Sequence, residues 1–249
     1  MKNVIKKLFL LFLPTSLKRL IIRPYIEEIN KLKQVNNYVN LSFSQEGEDL
    51  VLSRLLGNKS SGFFIDIGAH HPMRFSNTYK FYLLGWRGIN IDPLPGCMKM
   101  FNDLRSRDIN LEIGISNDLM ANLTYYLFNE PALNTFDIDT ANKLIKENNQ
   151  YHLIGKKNIE CSRLTDILNK YLSDDTEIDF FNIDVEGMDL EVLKSNDWQK
   201  YIPHYIVVES LSTTLDNDFN SPLNQYLSSL NYTFIGKTVN SLFYKYQFF

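Results

Sequence analysis

Two apolar strands, and the tight turn that follows the first of them, constrain the fold of this chain more than any other feature. The run from Gly62 to Pro95, GFFIDIGAHHPMRFSNTYKFYLLGWRGINIDPLP, predicts strands at Phe63–Ile67 and Gly88–Ile91 with a short helix between them. The small-residue turn Gly68-Ala69 follows the first strand, and Asp92 stands at the tip of the second. In α/β proteins such a turn admits a ligand to the backbone, and such an acid accepts hydrogen bonds from ribose hydroxyls. The run therefore predicts a site for an adenosine-containing cofactor.

The composition of the turn indicates which adenosine cofactor it can hold. A dinucleotide-binding turn needs the pattern G-x-G-x-x-G, because a pyrophosphate sits on the N-terminus of the next helix. Here only Gly68 is a glycine, Ala69 and His70 stand where later glycines would be, and Pro72 interrupts a long helix. The turn therefore favours a cofactor without a phosphate, such as S-adenosylmethionine. The alternative is a tight strand-to-helix turn without a ligand.

Strands and helices alternate along the chain, which predicts a mostly parallel sheet covered on both faces. A helix is predicted at Ser44–Leu56 with Ser44 as its N-cap. Further strands are predicted at Asn110–Ile115, Asn122–Phe128 (as an edge strand), Lys157–Cys161, Ile178–Ile183 and Tyr205–Val208, and a closing hairpin at Tyr232–Ile235 and Leu242–Tyr246. The hairpin favours the methyltransferase variant of the doubly wound sheet over the dehydrogenase variant. The predicted fold class is α/β, with an N-terminal helical extension (residues 1–40) before the main domain (residues 41–249).

Charge is distributed unevenly along the chain. The net charge of −3 argues against general nucleic-acid binding, which rests on a surplus of lysine and arginine. Residues 1–40 nevertheless hold eight basic residues and two acids, and Lys6 and Lys7 directly precede the apolar run Leu8–Leu13. This run is too short to span a bilayer, which takes about 20 apolar residues. Contact with an anionic membrane surface is one interpretation of this extension, and packing on its own domain or on a second subunit is the other.

Acidic side chains that follow two predicted core strands are candidate catalytic or metal-binding residues. Asp184 and Glu186 come directly after Ile178–Ile183, and Glu209 ends the next core strand. Ligands bind outside the carboxyl ends of the strands in such sheets, so these carboxylates could converge at one crevice. There they can act as general bases or hold a divalent metal ion, and the structural alternative for Asp184 is a helix N-cap. His71 is a further candidate base, because a neutral imidazole is available near pH 7.

Several segments occur in the order and spacing of a known family over about Leu41 to Ser210. They are SQEGED (Ser44–Asp49), FFIDIGAHHP with the following SNT (Ser76–Thr78), GWRGINIDP (Gly85–Pro93), IDVEG (Ile183–Gly187) and a late strand ending in Glu209. In these segments the chain resembles the FkbM-type S-adenosylmethionine-dependent methyltransferases. The resemblance implies the seven-stranded Rossmann-like sheet of class I methyltransferases. Family members typically transfer a methyl group to an oxygen, often a hydroxyl of a sugar or polyketide, and many modify surface glycans or glycolipids.

The resemblance also implies roles for individual residues. Asp66, Gly68 and Ala69 would line the cofactor, Asp92 would hold its ribose, and Asn117 would lie near the adenine. The whole predicted cofactor-binding set is Gln45, Asp66, Gly68, Ala69, His70, Asp92, Ser116, Asn117 and Asp184. The predicted catalytic residues are Asp184, Glu186 and His71, and a metal ion, if one is used, would be held by Asp184, Glu186 and Glu209. The segment Leu119–Lys157 is expected to cover the acceptor.

The function expected from the sequence is therefore S-adenosylmethionine-dependent O-methylation, with a sugar hydroxyl of a glycan, glycolipid or related metabolite as acceptor. Two alternatives stay open: a non-catalytic nucleotide- or glycan-binding domain of a surface-polysaccharide assembly, and an NAD-linked or nucleotide-sugar enzyme on a similar sheet. Cys97 and Cys161 form no CxxC pair, which favours a cytoplasmic protein. A location at the inner face of the membrane, through residues 1–40, and a homo-oligomer are the further expectations.

Overall fold

The computed structural model describes residues 38–57, 59–118, 122–147, 150–212 and 214–248. The predicted N-terminal extension, residues 1–40, lies almost wholly outside these ranges, so its helical character stays a prediction. Ser42–Phe249 form one compact unit. Within the described ranges no helix combines the length and the apolar character that crossing a bilayer requires.

Strands and helices alternate along most of this unit. The strands are β1 (Phe63–Ile67), β2 (Arg87–Ile91), β3 (Ile109–Leu111), β4 (Gly114–Ile115), β5 (Asn122–Phe128), β6 (Leu153–Ser162), β7 (Phe180–Ile183), β8 (Tyr205–Glu209), β9 (Tyr232–Lys237) and β10 (Ser241–Tyr246). The helices are α1 (Glu48–Leu55), α2 (Tyr79–Leu83), α3 (Met98–Leu104), α4 (Ile138–Glu147), α5 (Leu164–Tyr171), α6 (Asp189–Lys194), α7 (Leu215–Phe219) and α8 (Pro222–Ser229), with a 3-10 turn at Pro131–Leu133.

Seven strands form a large mixed sheet in the order β3-β2-β1-β7-β8-β10-β9. The strands from β3 to β8 are parallel, and β10 is antiparallel to both of its neighbours, β8 and β9. This arrangement confirms the predicted α/β fold class with a C-terminal antiparallel hairpin. The strand order reverses between β1 and β7, and open α/β sheets bind ligands beyond the carboxyl ends of the strands at such a reversal.

Both faces of the large sheet are buried, each by its own apolar cluster. Along β1, Phe64 belongs to one cluster, whereas Ile65 and Ile67 belong to the other. This alternation follows from the two-residue period of a strand. Helices α5, α6 and α8 contribute Leu164, Leu168, Leu193 and Leu227 to the cluster of Ile65, and α1 and α2 contribute Leu52 and Phe81 to the cluster of Phe64. Because helices cover both faces, the sheet is doubly wound as predicted.

A small sheet in the order β4-β6-β5 is the main departure from the predicted organisation. The single strand predicted at Asn110–Ile115 is wrong, because β3 belongs to the large sheet and β4 to the small one. Gly114 permits this change of sheet, since a Cβ there would lie only 2.5 Å from Sγ of Cys161 on β6. The strand predicted at Asn122–Phe128 is an edge strand, but of the small sheet. The short strand predicted at Lys157–Cys161 is part of the ten-residue β6.

The first helix begins later than the sequence predicts. Ser44 is not its N-cap, because α1 starts after Gly47, whose φ of 89° is left-handed. The Ser44 hydroxyl nevertheless accepts the backbone N–H of Asp49 at 2.9 Å. The buried Asp49 carboxylate in turn accepts the backbone N–H of Phe43 at 2.8 Å. The SQEGED segment is thus a hydrogen-bonded loop that leads into the helix.

Candidate active site

A cavity of about 650 Å³ lies at the carboxyl ends of β1, β2, β7 and β8. The residues that line it include members of almost every predicted site group: Gln45, Asp66, Gly68, Ala69, His70, Asp92, Asp184, Glu186 and Glu209. These predicted site residues therefore lie together at the carboxyl edge of the sheet. A cavity of this volume is within the range of about 300–1,000 Å³ typical of small-molecule and cofactor sites.

The turn after β1 is held tightly against β2. The backbone N–H groups of Gly68 and Ala69 both donate to the carbonyl oxygen of Ile91, at 2.9 and 3.0 Å. Gly68 has a φ of 82°, and a Cβ at this position would overlap the carbonyl oxygen of Asp184 at the end of β7. Only glycine fits here, because the left-handed backbone and the close approach of β7 both exclude a side chain.

Asp92 is a buried acceptor at the tip of β2. Its Oδ2 accepts the backbone N–H of His70 and its Oδ1 accepts that of Leu94, each at 2.8 Å. An ionised carboxylate offers about four lone-pair sites, so these two bonds leave capacity for ligand hydroxyls. Burial raises the pKa of Asp92, while the two backbone donors oppose that rise. The geometry is compatible with the predicted ribose contact.

Asp66 is fixed by a buried polar network behind the cavity. Thr78 donates to its Oδ2 at 2.6 Å, and Asn182 donates to its Oδ1 at 2.8 Å. The guanidinium of the fully buried Arg105 donates to Thr78 Oγ1 at 2.9 Å and pairs with Asp108. This network accounts for the last residue of the SNT segment, because Thr78 links the carboxylate at the cavity to the buried arginine.

Three carboxylates converge where β7 and β8 end. Asp184, Glu186 and Glu209 each offer a ligand oxygen, and these oxygens lie within 4.8 Å of one another. Asp184 keeps solvent access at the cavity wall, and the other two are half-buried. Loss of hydration, followed by repulsion from neighbouring carboxylates, raises the pKa of all three groups. The predicted convergence of these side chains is therefore confirmed.

The alternative role for Asp184, a helix N-cap, does not hold. Helix α6 begins at Asp189 after Met188. The Asp189 carboxylate itself accepts the backbone N–H groups of Val185 and Gly187, at 3.4 and 3.3 Å. The side chain of Asp189 is buried because it closes this turn. Asp184 is thereby left free to face the cavity.

Glu186 has a left-handed backbone conformation that is held by contacts from the small-sheet region. Its φ of 52° is left-handed, and the hydroxyl of the buried Thr135 donates to its carbonyl oxygen at 2.7 Å. Thr135 Oγ1 also accepts the backbone N–H of Asp137 at 2.8 Å. At Gly187 an added Cβ would lie 2.7 Å from Thr140 Oγ1, so the segment after β5 packs closely on this turn. Left-handed non-glycine residues persist where surrounding contacts enforce them, often at functional sites.

The small-sheet region also forms a wall of the cavity. Its lining residues include Tyr125, Glu130, Leu133, Phe136, Lys143, Leu144 and Tyr151. The rings of Tyr125 and Phe136 lie 4.6 Å apart. This wall falls within the segment Leu119–Lys157 that was expected to cover the acceptor, although no motif in the sequence singled out its individual residues.

The comparison with known families agrees with this site. A family model described as the methyltransferase FkbM domain matches residues 66–234, more than half of the chain. The chain belongs to the FkbM methyltransferase family. It is therefore an enzyme, and membership of the family implies S-adenosylmethionine as the methyl donor. The methyltransferase sdnD of Sordaria araneosa is 28% identical to it over 174 residues, which cover 61% of this chain and 67% of that protein.

The cavity of this FkbM methyltransferase suits a positively charged cofactor. Eight carboxylate residues line it, against the two cationic residues Arg74 and Lys143. His70 adds no positive charge near neutral pH, because burial and the neighbouring Arg74 lower its pKa to about 4. A sulfonium carries a positive charge, so an acid-rich lining complements it. The open backbone turn, the Asp92 acceptor and this charge together fit S-adenosylmethionine.

Three predicted site residues do not line the cavity. His71 uses Nδ1 to accept the backbone N–H groups of Met73 and Arg74, at 3.0 and 2.9 Å. Ser116 is buried, and its hydroxyl accepts the backbone N–H of Asp118, whereas Asn117 is exposed. Their roles in this FkbM methyltransferase stay predictions. Ile113 and Ile115, just before them, line the cavity instead.

Sequence reasoning missed two acids that bring the C-terminal hairpin to the site. Glu46 accepts the backbone N–H of Asn240 at 2.8 Å, and Glu48 accepts the hydroxyl of Thr238 at 2.8 Å. Both acids line the cavity, as does Asn240. The available signal was the SQEGED segment itself, which contains both acids.

Proposed function

We propose that this FkbM methyltransferase is an O-methyltransferase. The expected acceptor is a hydroxyl group of a sugar in a glycan, a glycolipid or a related metabolite. The observation that carries the proposal is the convergence of Asp184, Glu186 and Glu209 on the cavity that also contains the Gly68 turn and Asp92.

A hydroxyl group is a poor nucleophile until its proton is removed, so O-methyl transfer benefits from a base beside the acceptor oxygen. An ordinary carboxylate has a pKa near 4 and is a weak base at neutral pH. Loss of hydration is the main cause that raises the pKa of Asp184 and Glu186, and repulsion from the nearby Asp189 raises both further. Asp184, whose pKa rises to about 7, is matched to proton removal at neutral pH, whereas Glu186, whose pKa rises to about 9, largely keeps its proton there. This supports the assignment of proton removal to this pair, with Asp184 as the ionised member.

Other residues would position the reactants. When bound, S-adenosylmethionine supplies an electrophilic methyl group, and the work left to the protein is orientation and proton removal. Asp92 would accept hydrogen bonds from the ribose, and the Gly68 turn would admit the adenosyl group to the backbone. Thr135 would hold the turn that carries Glu186, so that its carboxylate stays beside the acceptor hydroxyl.

The test is transfer of a labelled methyl group from S-adenosylmethionine to neutral glycosides. A methyl ether resists mild alkali, whereas a methyl ester releases its label, so the alkali-stable fraction reports O-methylation of a hydroxyl. Glu186→Gln and Asp184→Asn should each lower turnover, while the Kd for S-adenosylhomocysteine stays within about twofold of wild type. Unchanged turnover in both variants would contradict the base assignment, and an alkali-labile product would contradict ether formation.

Metal assistance is the second way in which these carboxylates could serve the reaction. Asp184, Glu186 and Glu209 offer the oxygen ligands that divalent cations prefer, and a bound cation would lower the pKa of an acceptor hydroxyl. Turnover that is lost with a chelator and restored by magnesium would assign this role to the cluster. Turnover that the chelator leaves intact would assign direct base catalysis.

We further propose a cytoplasmic enzyme that contacts the inner face of the membrane through residues 1–40, or uses them to form a homo-oligomer. The support is the basic and apolar composition of this extension. Co-sedimentation with anionic but not with neutral vesicles, weakened by Lys6→Gln with Lys7→Gln, would support membrane contact. Equal sedimentation with both kinds of vesicle would contradict it, and light scattering would report the oligomer.

A further inference from the structure

We infer that the acceptor of this enzyme is an uncharged amphiphile, and this inference rests on the proposed O-methyl transfer. Its hydroxylated head would lie beside Asp184 and Glu186. Its apolar part would lie along four cavity-lining side chains, here called the apolar rim: Phe75, Leu133, Leu144 and Leu211.

The apolar rim leaves large hydrophobic surface open to solvent within the cavity. Phe75 is 42% exposed and Leu211 is 60% exposed, and Leu133 and Leu144 are half-buried. Single exposed apolar residues are ordinary on a protein surface. Here, however, side chains from separate segments line one cavity that also contains the carboxylates, and exposed apolar surface continuous with a polar site is typical of ligand-binding grooves.

The backbone conformation of Phe75 is a second, independent observation. Its φ of 59° is left-handed, which is an outlier for a bulky side chain with a Cβ. The guanidinium of Arg74 lies 4.1 Å from the centre of the Phe75 ring, and Arg74 is itself held by a two-pronged ion pair with Glu130 at 3.1 Å for each bond. The ring is thus braced in an unfavourable backbone conformation while it remains partly exposed at the cavity. Strain of this kind concentrates at ligand-binding positions.

The charge of the cavity selects against an anionic acceptor. Among the described residues that line it, eight carry carboxyl groups and two are cations. Glu186 and Glu209 largely keep their protons near pH 7, because their pKa values rise to about 9 and about 11, and the remaining six acids still outnumber the cations. Arg74 is already paired with Glu130 at 3.1 Å, and Lys143 is the second cation of the lining. A phosphate placed in this cavity would meet repulsion from the acids that suit the positively charged cofactor. The combination of acidic interior and apolar rim therefore fits a neutral head on an apolar tail, and it disfavours nucleotide-linked or phosphate-linked sugars.

The test is a binding series of alkyl glucosides of increasing chain length, kept below micelle-forming concentrations. Calorimetry would be run with and without S-adenosylhomocysteine. We expect octyl glucoside to bind about three- to tenfold more tightly than hexyl glucoside, because each further methylene leaves water at the apolar rim. Glucose phosphate and UDP-glucose should bind more weakly than octyl glucoside. Equal affinity across chain lengths, or tighter binding of either phosphate compound, would overturn the inference.

Variants of the apolar rim test whether this surface causes the gain in affinity with chain length. Leu211→Ser should abolish most of the gain from hexyl to octyl, and Phe75→Gly should do the same while it relieves the backbone strain. Leu83→Ser is the matched control, because Leu83 is 55% exposed and does not line the cavity. A chain-length effect that survives in both rim variants would overturn the assignment.

If Leu211→Ser instead splits a dimer and leaves glucoside binding unchanged, the rim is covered by a second copy and the inference is wrong. Failure of S-adenosylhomocysteine to bind would count against the proposed function, whereas the glucoside series decides the acceptor class by itself.

Discussion

Replacement of Asp92 by alanine is the most discriminating test of the cofactor site, because the structure gives this side chain two separable tasks. It accepts the backbone N–H groups of His70 and Leu94, both at 2.8 Å, and it also lines the cavity, with acceptor capacity left for a ligand. The first task stabilises the turn, and the second is the proposed contact with ribose. Asp92→Ala should therefore reduce both the stability of the fold and the affinity for the cofactor.

The two losses have different expected sizes. Leaving two buried N–H groups without an acceptor costs about 1–3 kcal/mol each, partly recovered by water, so we expect about 2–4 kcal/mol of lost stability. For a domain of this size that corresponds to a fall in Tm of about 4–16 °C. Water can also replace the ribose contacts in part, so we expect a loss of about 1.4–2.8 kcal/mol in binding, a 10- to 100-fold rise in the Kd of S-adenosylhomocysteine.

Asp179→Ala is the matched control for this experiment. Asp179 is equally buried, accepts the backbone N–H of Phe63 at 2.9 Å and pairs with Lys59 at 2.6 Å. It precedes β7, at the edge of the sheet opposite the cavity, so its loss should lower Tm and leave the Kd unchanged. Titration calorimetry and thermal unfolding of both variants would measure the two effects. Wild-type affinity in Asp92→Ala, or an equal loss in Asp179→Ala, would refute the assignment of Asp92.

Three further outcomes follow from the geometry. Gly68→Ala should abolish binding of S-adenosylhomocysteine and lower Tm, because the added Cβ would overlap the carbonyl oxygen of Asp184. A calorimetric affinity within about threefold of wild type would contradict this. Thr135→Val should lower kcat on a glycoside acceptor with little change in KM for S-adenosylmethionine, because the Thr135 hydroxyl holds the Glu186 carbonyl. Thr135→Ser keeps a hydroxyl and should therefore keep kcat near wild type. Equal kcat in the two variants would contradict this role. The carboxyls of Asp184, Glu186 and Glu209 have pKa values raised above those of the unfolded chain, so the folded state binds more protons. The free energy of unfolding should therefore fall as pH rises from about 5 to about 9, and Asp184→Asn should flatten that fall in urea titrations; stability that rises over this range would be the contrary result.

The sequence alone determined the features that depend on local composition. The runs at Phe63–Ile67 and Gly88–Ile91 are apolar except for Asp66 and Asn90, and their burial on both faces is typical of inner strands of a covered parallel sheet. The positions of Gly68 and Asp92 also follow from the sequence, because each residue comes directly after a predicted strand. The convergence of carboxylates after β7 was also foreseeable, because parallel strands end at one edge.

The tertiary structure decided the features that depend on contacts between distant segments. The division of Asn110–Ile115 between two sheets arises because Gly114 lets β4 pack against Cys161, which is far away in the sequence. The hydrogen bond from Thr135 to Glu186 joins residues 51 positions apart and holds a backbone angle that no local pattern encodes. The apolar rim likewise gathers side chains from separate segments. Local propensity specifies which elements form, but long-range packing specifies which side chains share a cavity, and that is where the chemistry of this enzyme is set.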